Sequence, residues 1–223
     1  MTTEMKDEFD INCRHCPRLA TFLDSVQEEH PDYHARPVPA FGDPAPKLFI
    51  VGLAPGMHGA NATGRPFTGD FAGILLYKTL HEFGYATSSV SVGRDDGLQL
   101  KGCRISNAVK CLPPQNKPLP VEIKTCNQYL ANEIRTLNSG TIILALGTIA
   151  HQAVIRALGY KQAAYKFSHA ALHDLDQGLT LIDSYHCSRY NTQTKRLTEA
   201  MFKQVFEMIS LYLRQPAAGK ARL

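Results

Sequence analysis

Nothing in this sequence is apolar for long enough to span a bilayer. The longest apolar runs, such as 141–146, fall far short of the ~20 residues a membrane helix needs. The first ten residues are acidic and lack the apolar stretch of a secretory signal. A membrane protein and an exported protein are both set aside, and the cytoplasm is the expected compartment. Tryptophan is absent, which excludes nothing by itself. No segment repeats another and none is of low complexity, so a solenoid is excluded. Neither sign of charge dominates: 24 Lys and Arg against 20 Asp and Glu leave a net +4. That balance permits a polyanionic partner without demanding one.

What the chain does have, against that background, is six cysteines. In a reducing compartment they point to ligation rather than disulfides. Four form two pairs, Cys13-x2-Cys16 near the start and Cys111-x14-Cys126 in the middle. Four thiolates drawn from distant parts of one chain point to a metal centre. Zinc and an iron–sulfur cluster both accept four thiolates. Zinc ribbons usually show two short Cys-x2-Cys knuckles, and the second pair is not one. Cys103 and Cys187 read as plain buried or strand-end thiols.

A chain of 223 residues suits one domain with a real core, here 1–215, followed by a fraying basic tail at 216–223. Helical periodicity runs over 19–28, 74–83, 120–137, 148–158 and 197–213. Short apolar runs over 47–52, 103–109, 141–146 and 179–184 read as buried strands. Alternation of strand and helix predicts a three-layer α/β/α fold with a central four-stranded parallel sheet. In such sheets ligands bind beyond the carboxyl ends of the strands. The segments after the first, second and fourth strands should therefore converge.

Those three segments are the least ordinary in the sequence. The first, 52–70, carries glycines at 52, 56, 59, 64 and 69 and ends on Asp70. Exposed amides in such a loop can bind a planar ligand or a phosphate, although it lacks the Lys-Ser/Thr ending of a P-loop. Asp70 reads either as a helix N-cap or as a carboxylate that positions water. The second, 107–118, holds Asn107 and Asn116, amides that suit the edge of a nucleobase. Asn116 also reads as a turn former between prolines. The third, 184–198, places His186 directly after a strand. Asn191, Thr192 and Thr194 should open a helix, with Arg189 and Tyr190 at a loop tip. Its polar density suits a nucleic-acid backbone and base stack; the plainer reading is an ordinary capped helix start.

These motifs, together with Thr63-Gly-Arg-Pro-Phe-Thr-Gly-Asp70, Asn107-Ala-Val-Lys-Cys111 and His186-Cys-Ser-Arg-Tyr-Asn-Thr-Gln-Thr194, resemble those of family 5 (type b) uracil-DNA glycosylases. The resemblance runs from Cys13 to about Phe206. It implies a monofunctional glycosylase that hydrolyses the N-glycosidic bond of uracil, and of hypoxanthine, xanthine or other deaminated bases, in DNA. By resemblance, Asp70 orients water and stabilises the sugar cation, Asn116 sits near that water, and His186 donates to a base carbonyl. Phe67 stacks under the flipped base. Gly52, Ala54, Gly56, Met57, His58, Asn107 and Asn191 belong to base or DNA contact. Thr192 and Thr194, with Arg65, Lys195 and Arg196, are placed to hold phosphates, and Arg189 and Tyr190 to fill the vacated stack. The four paired cysteines would bind a [4Fe-4S] cluster, with zinc as the rival. No lysine falls on a catalytic position, so no lyase activity is expected. A monomer acting on DNA, with no membrane partner, completes the expectation. The competing readings are a non-catalytic iron–sulfur damage sensor on the same fold, and a redox or zinc module without DNA.

Overall fold

The computed structural model describes residues 9–214, so the tail expected at 216–223 lies outside the described residues. Four strands form the parallel centre of the sheet: β2 (Leu48–Gly52), β3 (Cys103–Asn107), β4 (Ile142–Leu146) and β6 (Thr180–Ser184). Two short strands add antiparallel edges, β1 (Phe41–Gly42) and β5 (Leu172–Asp174), giving the order β1-β3-β2-β4-β6-β5. The parallel centre matches the four-strand expectation, and the two edges correct it. Neither edge has enough residues to show a period, and both are held by pairing to a neighbour.

Alternation along the strands decides which side each residue serves. Leu48, Ile50, Leu144 and Ile182 meet Leu76, Tyr77 and Leu80 of α3 (Phe71–Glu82) and Phe202 and Phe206 of α7 (Glu199–Arg214). Phe49, Val51, Ile143 and Ala145 meet Leu130 and Ile134 of α4 (Pro120–Arg135) and Ala150 and Val154 of α5 (Thr148–Ala157). Each fully buried Leu, Ile or Phe contributes roughly 1.5–3 kcal/mol. The two faces therefore carry the stability, and the loops at the strand ends are free to be polar. No helix among the described residues is long and apolar enough to cross a membrane.

The N-terminal arm packs outside this sandwich. Helix α1 (Pro17–Glu29) starts on a proline, which costs nothing at a helix's first position. Leu19, Leu23 and Val26 pack with Val109, Leu112, Cys111 and Tyr129. Arg18 Nε donates to Glu122 Oε1 of α4 at 2.7 Å, a cross-tie distant in sequence.

Two expectations about the third segment are corrected. The helix expected to open at Asn191–Thr194 is α6 (Arg189–Gln193), capped by Ser188, whose hydroxyl accepts from Asn191 N at 3.4 Å. Thr192 is inside it and Thr194 lies just past its end. The helix expected at 197–213 is separate and starts at Glu199, where Thr198 Oγ1 accepts from Met201 N at 3.2 Å. Lys195, with φ +57°, makes the break between them.

Candidate active site and cysteine centre

The chain order reverses between β2 and β4: β3 lies on one side of β2 and β4 on the other. Crevices open at such points, and here the crevice is a cavity of about 520 Å³. Its walls come from four strand ends. After β2 stand Leu53, Ala54 and Gly56, and the loop from β2 to α3 ends on Asp70. Asn116 follows β3, Gly147 and Thr148 follow β4, and Tyr185, His186, Arg189 and Asn191 follow β6.

Asp70 fills the expected cap with one oxygen and leaves the other toward the crevice. Oδ1 caps α3 by accepting from Gly73 N at 2.8 Å. Oδ2 is left facing the loop after β2, and a Cβ built on Gly56 would stand 3.7 Å from it. Gly59 packs against the same residue so closely that a Cβ there would meet Asp70 Cβ at 2.6 Å. Burial raises the carboxyl's pKa, against the lowering pull of amides at Gly73 and Ala72.

His186 sits at the pocket's other side, and burial pushes its pKa down to about 4. The ring is therefore neutral at physiological pH: a donor through one nitrogen and an acceptor through the other. Its ring lies 6.0 Å from that of Phe67 at 28°, a stacked arrangement. Asn191 Nδ2 donates to His186 O at 2.8 Å and fixes the backbone that carries the histidine.

Phe67, Asn107 and Gly52 do not line the cavity itself; they pack against one another behind its wall, where the Phe67 ring meets that of His186. Phe67 and Asn107 are both buried, and Asn107 Oδ1 has no hydrogen-bond partner among the described residues. A Cβ on Gly52 would meet Asn107 Oδ1 at 2.4 Å and Phe67 Cζ at 2.5 Å, so only glycine lets the two side chains come together. Phe67 and Asn116 hold φ at +56°. Non-glycine residues in this region cost about 1 kcal/mol or more and cluster at functional sites.

Several expected residues stand elsewhere. Met57 packs against the α1 cluster rather than into the cavity. His58 is exposed, its Nδ1 2.8 Å from Tyr33 Oη and turned from the pocket. Arg65 does not reach out for phosphate: it is buried, bound to Ser91, Thr68 and Asp96. Thr192 and Thr194 give their hydroxyls to the carbonyls of Arg189 and Tyr190 at 3.0 and 2.7 Å. Tyr190 is 70% exposed, while the Arg189 guanidinium stacks 5.0 Å above the Phe71 ring at the pocket mouth. Sequence reasoning missed the wall after β4, Phe71, Phe167, Tyr185 and Ser188. Mostly apolar, aromatic or small, they carry no chemical signal; only the rule that ligands sit beyond strand ends could have raised Gly147 and Thr148.

The four paired cysteines do converge. Cys13, Cys16, Cys111 and Cys126 line one small hollow between α1, the segment after β3 and α4. Lys110 N donates to Cys126 Sγ at 3.2 Å. Burial raises Cys111, and the neighbouring Cys126, Cys13 and Cys16 raise it further; burial likewise lifts Cys126 to about 11. Cys111 and Cys126 are buried, while Cys13 and Cys16 are half-exposed at the edge of the hollow. Cys103 and Cys187 are buried in the core under α3 and α7, away from this hollow.

The sequence that builds this crevice matches a known group of proteins. A model of the uracil DNA glycosylase superfamily matches residues 39–210, and the chain belongs to that superfamily. Its relatives place it in the type-5 branch. It is 44% identical over 198 residues to the type-5 uracil-DNA glycosylase of Thermus thermophilus, covering 86% of this chain and 90% of that one. It is 41% identical over 203 residues to that of Mycobacterium bovis, covering 87% and 75%. The type-5 enzyme of Pyrobaculum aerophilum is 38% identical over 199 residues, covering 87% and 86%.

Proposed function

We propose that this chain excises uracil from DNA, hydrolysing the bond between the base and C1′ of its deoxyribose as the first step of base excision repair. The observation that carries the reading is one cavity faced by a carboxylate, a neutral imidazole and an amide, in a member of this superfamily. A base stacked in a duplex cannot reach such a cavity, so the nucleotide must leave the helix. The flipped base would rest against the wall that Phe67 and Asn107 back, with the amides after β2 close by.

The bond breaks with its electron pair leaving on the base, and the sugar becomes cationic at C1′. The free Oδ2 of Asp70 stabilises that cation and holds the attacking water. The water's oxygen bonds C1′, and its proton is released. His186, neutral because it is desolvated, donates to the base carbonyl as negative charge grows there. Such preorganised donors contribute about 10²–10³ in rate each. Asn116, held at positive φ on the pocket rim, helps place the water. No lysine lines the cavity, in keeping with hydrolysis without a Schiff base. Arg189, seated over Phe71 at the mouth, and exposed Tyr190 beside it would occupy the gap left in the stack.

A cavity of about 520 Å³ and the lack of an acidic side chain at 53–59, directly after β2, favour a wide lesion range that includes hypoxanthine and xanthine. Cys13, Cys16, Cys111 and Cys126 would hold a [4Fe-4S] cluster. Among the described residues, the one set of three or more His, Cys, Asp or Glu ligand atoms within 4.8 Å of one another is His151, His173 and Asp183. The cysteine sulfurs are thus spread wider than the about 3.8 Å that a tetrahedral zinc at 2.3 Å imposes. When bound, the cluster cross-links the arm to α4 and takes no part in bond cleavage. A labelled oligonucleotide carrying one uracil, treated with the protein and then alkali, should break at that position. An intact strand at uracil, hypoxanthine and xanthine alike would leave the damage-sensor reading in its place.

A further inference from the structure

Two residues of the 52–70 loop, His58 and Arg65, take no part in the base pocket, yet both are held in specific contacts on the loop's other side. His58 bonds Tyr33 Oη through Nδ1 at 2.8 Å, and the His30 ring stacks on Tyr33 at 4.4 Å. Arg65, buried in the same loop, holds Ser91 and Asp96 and donates to Arg94 O at 3.4 Å. Gly69 N donates to Ser91 O at 3.3 Å, so the 88–97 loop is stapled to the segment that ends in Asp70. That staple leaves the Arg94 side chain exposed.

Arg94 faces Arg36 across a concavity of about 460 Å³ whose wall includes Tyr33 and His34. Arg36 is presented by a tight turn in which Ala35 holds φ +41°. His34 and Ala35 anchor that turn by donating to Ala62 O and Asn61 O at 2.9 and 3.0 Å. The charges of both arginines reach the His34 ring, which burial first and then these charges hold below the usual histidine pKa. Among the described residues, no carboxylate lines the concavity. Neither arginine has an ion-pair partner among the described residues, whereas nearby Arg14 is neutralised by Asp24 at 2.6 Å.

Resting on the glycosylase reading, we infer that the Arg36–Arg94 groove is a second DNA subsite that holds backbone phosphates of the strand flanking the excised base. Two unpaired guanidiniums across a groove are the chemistry of phosphate capture. Tyr33, His30 and His58 on the rim offer ring faces to unstacked bases, as single-strand sites do. His58 lies between Gly56 of the pocket and Gly59 beneath Asp70, and its bond to Tyr33 ties that loop to the groove's wall. A strand leaving the pocket over His58 runs into the groove.

The test is binding by Arg36→Ala/Arg94→Ala to two probes that carry a non-cleavable uracil analogue, a 20-mer and a trimer. For the 20-mer, affinity should fall about tenfold, and the slope of log K against log salt should shrink by roughly 1.4, two single-strand phosphate contacts at about 0.7 each. For the trimer, affinity should stay as in the wild type. Arg36→Lys/Arg94→Lys should restore most of the salt slope. A wild-type slope for the 20-mer with the alanine pair overturns the inference, as does an equal loss on both probes. Excision of uracil by the wild-type chain, scored separately, tells failure of this subsite from failure of the glycosylase reading.

Discussion

At the scale of single residues, Asp70 shows why the alternatives left open by the sequence were not exclusive. A carboxylate has two oxygens, and here one caps α3 while the other faces the pocket. Asp70→Ala should lose the cap and about 1 kcal/mol of stability. Asp70→Asn, another good cap, should keep nearly all of it, and urea midpoints of the two variants will tell them apart. Two histidines should tilt stability in opposite directions with pH. Unfolded, each releases its proton near pH 6.5. Folded His186 stays neutral down to about 4, so acidification from about 6.5 to 4 protonates only the unfolded chain and costs stability. His151 behaves in reverse. Its Nδ1 faces Asp183 Oδ1 at 2.8 Å and its Nε2 faces Tyr165 O at 3.0 Å, two acceptors, so both nitrogens carry protons. Burial works to lower its pKa, but the Asp183 carboxylate outweighs it and the value is raised. Its contribution is full below about pH 6.5 and fades as pH climbs through the raised value. Unfolding midpoints from pH 4 to 9 should show both limbs. His186→Gln should flatten the acid limb and Asp183→Asn the alkaline one; limbs that survive these substitutions would assign the titrations elsewhere.

At the scale of elements, close packing at the strand ends is what builds the pocket. Gly52→Ala would drive a methyl into Phe67 and Asn107, costing about 1–3 kcal/mol and displacing the Phe67 ring that stacks against His186. Thermal unfolding and excision rate should fall together; an unchanged rate would remove Phe67 and Asn107 from the site. The parallel strands were legible because each is a short apolar run with both faces covered. Their helices were legible within about three residues because one face of each is apolar. The edge strands β1 and β5 were not, since two or three residues show no period and depend on a neighbour for pairing. The α6–α7 break was hidden by continuous helix-compatible residues over 189–213, and a serine cap with one left-handed lysine decides it. Of the site, polar residues at strand ends stood out by their chemistry: Asp70, Asn116, His186 and the four cysteines. The placement of His58 and Arg65 was not legible, because a loop has two sides and its residue types do not say which faces the pocket.

At the scale of the whole molecule, two separate devices converge on the segment after β3. Cys111 stands between Asn107 and Asn116, and the cysteine hollow ties that segment to α1 and α4. The Arg18–Glu122 pair supports the same junction from the side. If the proposed cluster binds there, its loss would leave the arm held by apolar contacts, the Arg18–Glu122 pair and bonds such as Arg18 Nη2 to Lys117 O and Gln128 Nε2 to His15 Nδ1. Cys16→Ser should therefore lower soluble yield and remove an absorbance near 400 nm, while far-ultraviolet circular dichroism of the surviving soluble fraction still reports the α/β core. Zinc found by elemental analysis of the anaerobically purified wild type, without that absorbance, would replace the cluster. On the proposed reading the chemistry is assigned to Asp70, Asn116 and His186, whichever metal the cysteines hold. The most direct measurement is single-turnover release of uracil from a labelled oligonucleotide by the wild-type chain and by Asp70→Asn. Release by the wild type and a loss of about 10²-fold or more in the variant, at unchanged stability, is the predicted result. Equal rates for the two proteins, or no release by the wild type, would contradict it.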